Sequence, residues 1–126
     1  AQREMTREEL MKTGKEKYDL ICSACHKVDG TGLSPLYPAL KGSSVAVGKP
    51  ISRHISIILD GVPGSAMQSY RNQLSDEEIA ALVTYERNAW GNNTDDVIQP
   101  AEVAQVRKGD TQEPTMVKKA QAGGLR

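Results

Sequence analysis

Cys22-Ser23-Ala24-Cys25-His26 sets two thiols three residues apart, with an imidazole directly after them. On a helical turn, residues i and i+3 share a face. Both sulfurs can then reach one edge of a flat ligand, and the next side chain falls beneath it. Thioethers to the two vinyl groups of a porphyrin, with His26 on the iron, are the chemistry this spacing serves. C-x-x-C-H is the attachment pattern of a c-type haem. Other uses of C-x-x-C are a dithiol redox pair, a disulfide or half a zinc site. Zinc needs a second Cys or His pair, and beyond the motif there is His54 and no further cysteine. A thioredoxin-like pair sits in a βαβ pattern, which is missing here. One covalently attached haem c is therefore the expected cofactor.

An electron-transfer haem needs a second iron ligand from the opposite face. A methionine thioether is a soft donor that favours ferrous iron and raises the potential. The candidates are Met5, Met11, Met67, Met116 and His54. Met5 and Met11 lie in or before the helix that carries the cysteines, and Met11 lies on its packing face. Met116 lies near the C-terminus. Met67 sits in the irregular segment Gly64-Ser65-Ala66-Met67-Gln68-Ser69-Tyr70, which can bring it over the far side of the ring, so Met67 is the expected ligand. His54 falls inside a predicted helix and suits a surface or propionate contact, with a bis-histidine site as the alternative. Ser69 and Tyr70 are candidates to steady the methionine; Arg53, His54 and Trp90 are candidates for the propionates.

The elements that must position these residues follow from periodicity and caps. Thr6-Arg7-Glu8-Glu9 has the form of a capping box. It opens a helix whose face, Met11, Gly14, Tyr18, Ile21, Cys22 and Cys25, ends at the cysteine pair. Gly14 on that face costs roughly 1 kcal/mol against alanine, which close approach of another helix would offset. Val28 to Pro50 is rich in Gly, Pro and Ser and is expected as loop, long enough to wrap a cofactor. A short helix is expected over 52–60, with Ile51, Ile55, Ile58 and Leu59 inward. Ser75-Asp76-Glu77-Glu78 is a second capping box. It opens a helix carrying Ile79, Leu82, Val83 and Tyr85 and ending around Trp90-Gly91. Residues 1–99 are expected as the haem domain. Residues 100–126 lose periodicity and are expected as a flexible tail with one helical turn near 101–105.

Composition bounds the rest. The chain has 126 residues, 38% hydrophobic, with one Trp, four Tyr and no Phe. That is thin for a self-sufficient core, and a buried haem would supply the missing apolar surface. Formal net charge is zero, which argues against a nucleic-acid binder. Residues 1–99 carry eleven Lys and Arg against thirteen Asp and Glu, and residues 100–126 five against three. The acidic haem domain suits weak docking with basic partners. No apolar run is long enough to span a membrane and no signal peptide is visible. The chain starts at Ala1 as a processed or excised chain would. Covalent haem attachment points to the periplasmic side of a bacterial inner membrane.

The order C-x-x-C-H, a Gly-rich loop with Tyr37-Pro38-Ala39-Leu40-Lys41-Gly42, a ligand Met and a capped helix resembles the class I cytochrome c fold. The resemblance implies an all-α protein of three to four helices wrapped around one haem. It implies that the Pro38 carbonyl accepts from the N–H of His26, and that Gly14 and Tyr18 cross Leu82 and Tyr85 in a close helix contact. A narrower set is Thr6 to Lys15, Asp60 to Tyr70, and Leu74 to Asn92 with its Tyr85-Glu86-Arg87-Asn88 segment. It is similar to the cytochrome c domain fused to subunit II of some proteobacterial haem–copper oxidases, over roughly residues 5–105. The dinuclear copper site and membrane hairpin of that subunit have no counterpart here. The resemblance thus implies the haem domain alone, or a free-standing relative. The site residues it implies are Cys22, Cys25, His26, Pro38 and Met67. Its implied partners are the copper-centre domain of a parent oxidase subunit as acceptor and a soluble cytochrome c or quinol-oxidising complex as donor. The domain would catalyse nothing by itself. The opposing class is a small-ligand sensor or peroxidase with an open iron site.

Overall fold

Both capping boxes form. The Thr6 hydroxyl accepts from the Glu9 N–H at 3.1 Å while the Glu9 carboxylate accepts from the Thr6 N–H at 2.9 Å, opening α1 over Arg7–Lys17. The computed structural model describes residues 3–109 and a short strand at 118–119. The first helix does not stop at Lys17. It widens into a π-helical segment, Tyr18–Cys22, and tightens into a last turn, α2, Ser23–His26. Such π segments are rare and often lie at functional sites; this one ends on the first cysteine. Lys27 then leaves the helix at φ 72°, and the Tyr18 hydroxyl donates to its carbonyl at 2.6 Å.

The stretch expected as loop contains one more helical turn, α3, Ser44–Val47, capped by the Ser43 hydroxyl accepting from the Ala46 N–H at 2.9 Å. α4, Ile51–Asp60, buries Ile51, Ile55, Ile58 and Leu59, the face that the sequence predicts. α5, Asp76–Asn88, starts at the second capping box. α1 and α5 cross at Gly14, where a methyl group would lie 2.6 Å from Tyr85 Cβ and strike the Ala81 carbonyl. The side chain is absent because the neighbouring backbone occupies its place.

The expected boundary at residue 99 does not hold. β1, Asp96–Val97, pairs antiparallel with β2, Lys118–Lys119. Pro100–Arg107 forms a two-turn helix, α6, with Val103 and Val106 buried. Pro100 takes the first turn, where its missing N–H costs no bond. Gln99 accepts from the Met5 N–H at 2.8 Å and donates to the Met5 carbonyl at 3.0 Å, tying the start of α6 to the start of α1. Met116 and the other residues expected in the tail beyond 109, apart from 118–119, lie outside the described residues. No helix among the described residues is long and apolar enough to cross a membrane.

Candidate functional site: a haem cavity

Between α2, the 35–40 loop, α4 and the 62–70 loop lies a largely apolar cavity of about 390 Å³. Cys22, Cys25, His26, Pro38 and Met67 all line it. The five residues that the sequence singles out are thus brought together, from three separate segments. Met5 and Met11 lie away from it: Met5 is buried in the core, and Met11 packs against that core. Among the described residues no group of three or more His, Cys, Asp or Glu is placed to hold a metal ion.

His26 Nδ1 lies 2.8 Å from the Pro38 carbonyl oxygen. A carbonyl only accepts, so Nδ1 carries the proton and Nε2 keeps a free lone pair. A ligand histidine requires this tautomer. The loop bearing Pro38 is itself fixed. Leu40 and Lys41 donate their N–H groups to the Gly30 carbonyl at 2.8 and 3.0 Å. Asn92 accepts from the Gly42 N–H at 2.7 Å and donates to the Leu40 carbonyl at 3.0 Å. Gly30, at φ 73°, packs flat on the Trp90 ring, and Trp90 Nε1 donates to the Val28 carbonyl at 2.9 Å. Trp90 therefore braces the loop within a cluster with Tyr18 and Tyr85 instead of reaching toward the cavity.

The Met67 loop is held in the same manner. The Val62 N–H donates to the Met67 carbonyl at 2.9 Å, and the Tyr70 N–H to the Ile58 carbonyl at 3.0 Å. The Ser69 hydroxyl donates to the Leu59 carbonyl at 2.5 Å, so Ser69 steadies this loop through α4. The main chain of Met67 is fixed while its side chain faces the cavity.

The sequence reading missed a buried polar network on the cavity wall. His54 Nε2 lies 2.7 Å from Glu86 Oε1, and both residues line the cavity. Arg87, fully buried, places Nη1 3.3 Å from His54 Nδ1, and its Nε donates to Asp96 at 3.0 Å. Its terminal nitrogens also donate to the Val45 and Gly48 carbonyls at 3.2 and 2.8 Å. Asn88 donates to the Asp96 carbonyl at 2.9 Å. Both ring nitrogens of His54 are thus engaged in side-chain contacts. The signal was present in Tyr85-Glu86-Arg87-Asn88: adjacent unlike charges inside an otherwise apolar helix. Burial also raises the Cys22 thiol pKa far above its ordinary value, with a smaller contribution from Glu86. Cys22 therefore stays a protonated thiol where it is free, unlike the low-pKa cysteine of a dithiol oxidoreductase.

The family described as cytochrome c oxidase, cbb3-type, subunit III matches residues 9–85. The chain belongs to this family of cytochromes c. The cytochrome c subunit of a quinone alcohol dehydrogenase from Gluconobacter oxydans is 32% identical over 103 residues, 75% of this chain and 22% of that one. The gluconate 2-dehydrogenase cytochrome c subunit of Pantoea cypripedii is 33% identical over 109 residues, 79% of this chain and 25% of that one. A solved structure of the dihydro-haem d1 dehydrogenase NirN aligns with TM-score 0.53 at 34% identity, over 61% of this chain and 16% of that one. The cytochrome thus spans about a quarter or less of the length of these curated relatives. They are named as cytochrome subunits of dehydrogenases, so the narrower resemblance to oxidase subunit II finds no support in them. The class I cytochrome c fold holds, haem c is the cofactor, and the domain is a monohaem electron carrier. The cavity fits that group: two thiols on one wall, a correctly protonated histidine beside them, a thioether on the loop opposite in sequence, and an apolar lining.

Proposed function

We propose that this cytochrome is the electron-relay domain of a larger oxidoreductase complex on the periplasmic face of a bacterial inner membrane. Cys22 and Cys25 would hold haem c through thioethers, and His26 and Met67 would supply ligands to its iron. Bound haem c supplies a one-electron couple between ferric and ferrous iron. The chain does the rest. Pro38 holds the His26 imidazole in the ligating tautomer, the Ser69 and Val62 bonds fix the Met67 loop, and the apolar wall keeps water from the iron. What carries this reading is the convergence of Cys22, Cys25, His26 and Met67 on one cavity, with the Pro38 carbonyl on His26 Nδ1.

Electrons would arrive from a soluble cytochrome c or a quinol-oxidising complex and leave to the copper centre of a terminal oxidase. The sequence likeness to the oxidase-fused domain supports that direction, while the name of the matching family speaks only for an oxidase complex. The names of the relatives support a second reading, in which the reducing partner is a quinone-linked dehydrogenase. Rapid anaerobic mixing separates the two. The oxidase reading expects the reduced domain to be oxidised by an isolated copper-centre domain much faster than the oxidised domain is reduced by a substrate-loaded dehydrogenase. The reverse order would replace the first reading with the second.

A further inference from the structure

Glu86 is an uncommon residue to find on the wall of such a cavity. It is 4% exposed, and it shares the lining with Cys22, Cys25, His26 and Met67. Its Oε1 faces His54 Nε2 at 2.7 Å. On the far side of that ring, Nδ1 faces Arg87 Nη1 at 3.3 Å. A guanidinium only donates, so Nδ1 accepts and carries no proton. The His54 ring is therefore neutral, and its one proton sits on Nε2, donated to Glu86.

The charge on Arg87 is matched elsewhere, by Asp96 at 3.0 Å and by the Val45 and Gly48 carbonyls. The Arg87 guanidinium is thus taken up by Asp96 rather than by Glu86. The residues whose charge Glu86 influences are Tyr18 and Cys22 on the π segment and Tyr85 on its own helix. All three are neutral near pH 7, with burial raising the pKa of each. Glu86 lines the same cavity as Cys22, Cys25 and His26, so its field acts on the attachment site.

We propose that Glu86 lowers the potential of the cytochrome, as a buried anion on the cavity wall that favours the ferric state. The inference rests on the haem assignment above. Ferric iron carries one more positive charge than ferrous, and a fixed negative charge in a water-poor site stabilises the more positive state. A unit charge so placed changes a one-electron equilibrium by about tenfold, equivalent to about 59 mV. His54 holds the carboxylate by a hydrogen bond without neutralising it, and Arg87 holds His54.

The test is potentiometric titration of the haem-loaded domain at pH 7, for the wild type, Glu86→Gln and His54→Gln. Both variants disturb the same hydrogen bond, and only the first removes a charge. Glu86→Gln is expected to favour the ferrous state about tenfold more than the wild type, while His54→Gln moves by a small fraction of that. Glu86→Thr, a smaller neutral replacement, serves where the amide does not pack. A neutral variant at the wild-type potential would overturn the proposal, and so would His54→Gln rising as far as Glu86→Gln. The far-red absorption band of methionine-ligated ferric haem, recorded on each sample, reports Met67 separately. With that band present throughout, an unmoved potential counts against Glu86 alone; its absence from the wild type counts against the ligand assignment.

Discussion

Met67 and Arg87 illustrate two ways in which one side chain matters. Met67 acts at the iron in the proposed ligand set. Met67→Ala removes a soft donor that favours the ferrous state. The expected outcome is a lower midpoint potential and fast carbon monoxide binding by the reduced variant, read by potentiometry and flash photolysis. A variant that kept the wild-type potential and stayed closed to carbon monoxide would place the ligand elsewhere. Arg87 acts through structure. It is fully buried and joins β1, the α3 region and His54. Arg87→Met leaves Asp96 as a buried carboxylate without its guanidinium partner, which typically costs about 3–5 kcal/mol. Chemical denaturation of the haem-loaded protein is expected to show a loss of that order. Pairing with Asp96→Asn is expected to restore part of it, because the buried negative charge is then gone.

Among the elements, the crossing of α1 and α5 is the least forgiving. A methyl group on Gly14 would strike the Ala81 carbonyl and Tyr85 Cβ, and those atoms belong to helix backbone or its first side-chain carbon. Gly14→Ala is therefore expected to destabilise by about 1–3 kcal/mol, the usual cost of overpacking, despite the better helix propensity of alanine. A melting temperature equal to the wild type would show that the helices separate freely. This crossing was readable in the sequence because a glycine on the apolar face of a helix marks a place where a second backbone comes close. The two capping boxes were readable because each is a local pattern of four residues. α6 was not. Its apolar positions are few, Val103 and Val106, and its anchor is the long-range pair between Gln99 and Met5. The π segment escaped because Tyr18 to Cys22 has ordinary helix-forming composition, and its widening answers to tertiary packing. The Arg87 network escaped for the same reason: its partners lie 33 to 42 residues away in sequence for His54, Gly48 and Val45. The cavity residues were readable where chemistry forces a fixed spacing, as in Cys22, Cys25 and His26. Met67 was legible from its place in the irregular segment Gly64 to Tyr70, ahead of α5.

The whole molecule is organised around a volume that its own side chains do not fill. The largely apolar walls of this volume lack packing partners in the chain alone, and a void forfeits the contacts its lining would make. Single domains have total stabilities of only about 5–15 kcal/mol. The chain without haem is thus expected to lose cooperative unfolding and much of its helical circular dichroism, while the loaded protein melts sharply. A fully helical, cooperative apo protein would refute the view that haem completes the core. The acidic balance of residues 1–99 belongs to this level too, since it bears on encounter with partners rather than on the fold.

Closure of the iron by His26 and Met67 within a haem-loaded domain is what the electron-relay role depends on most. The far-red spectrum of the oxidised protein, produced alongside a haem-maturation system, tests this directly. The weak sulfur-to-iron charge-transfer band is the predicted result, and it should vanish in Met67→Ala. A haem spectrum lacking that band in the wild type would contradict the ligand set and point to an open site that binds small ligands.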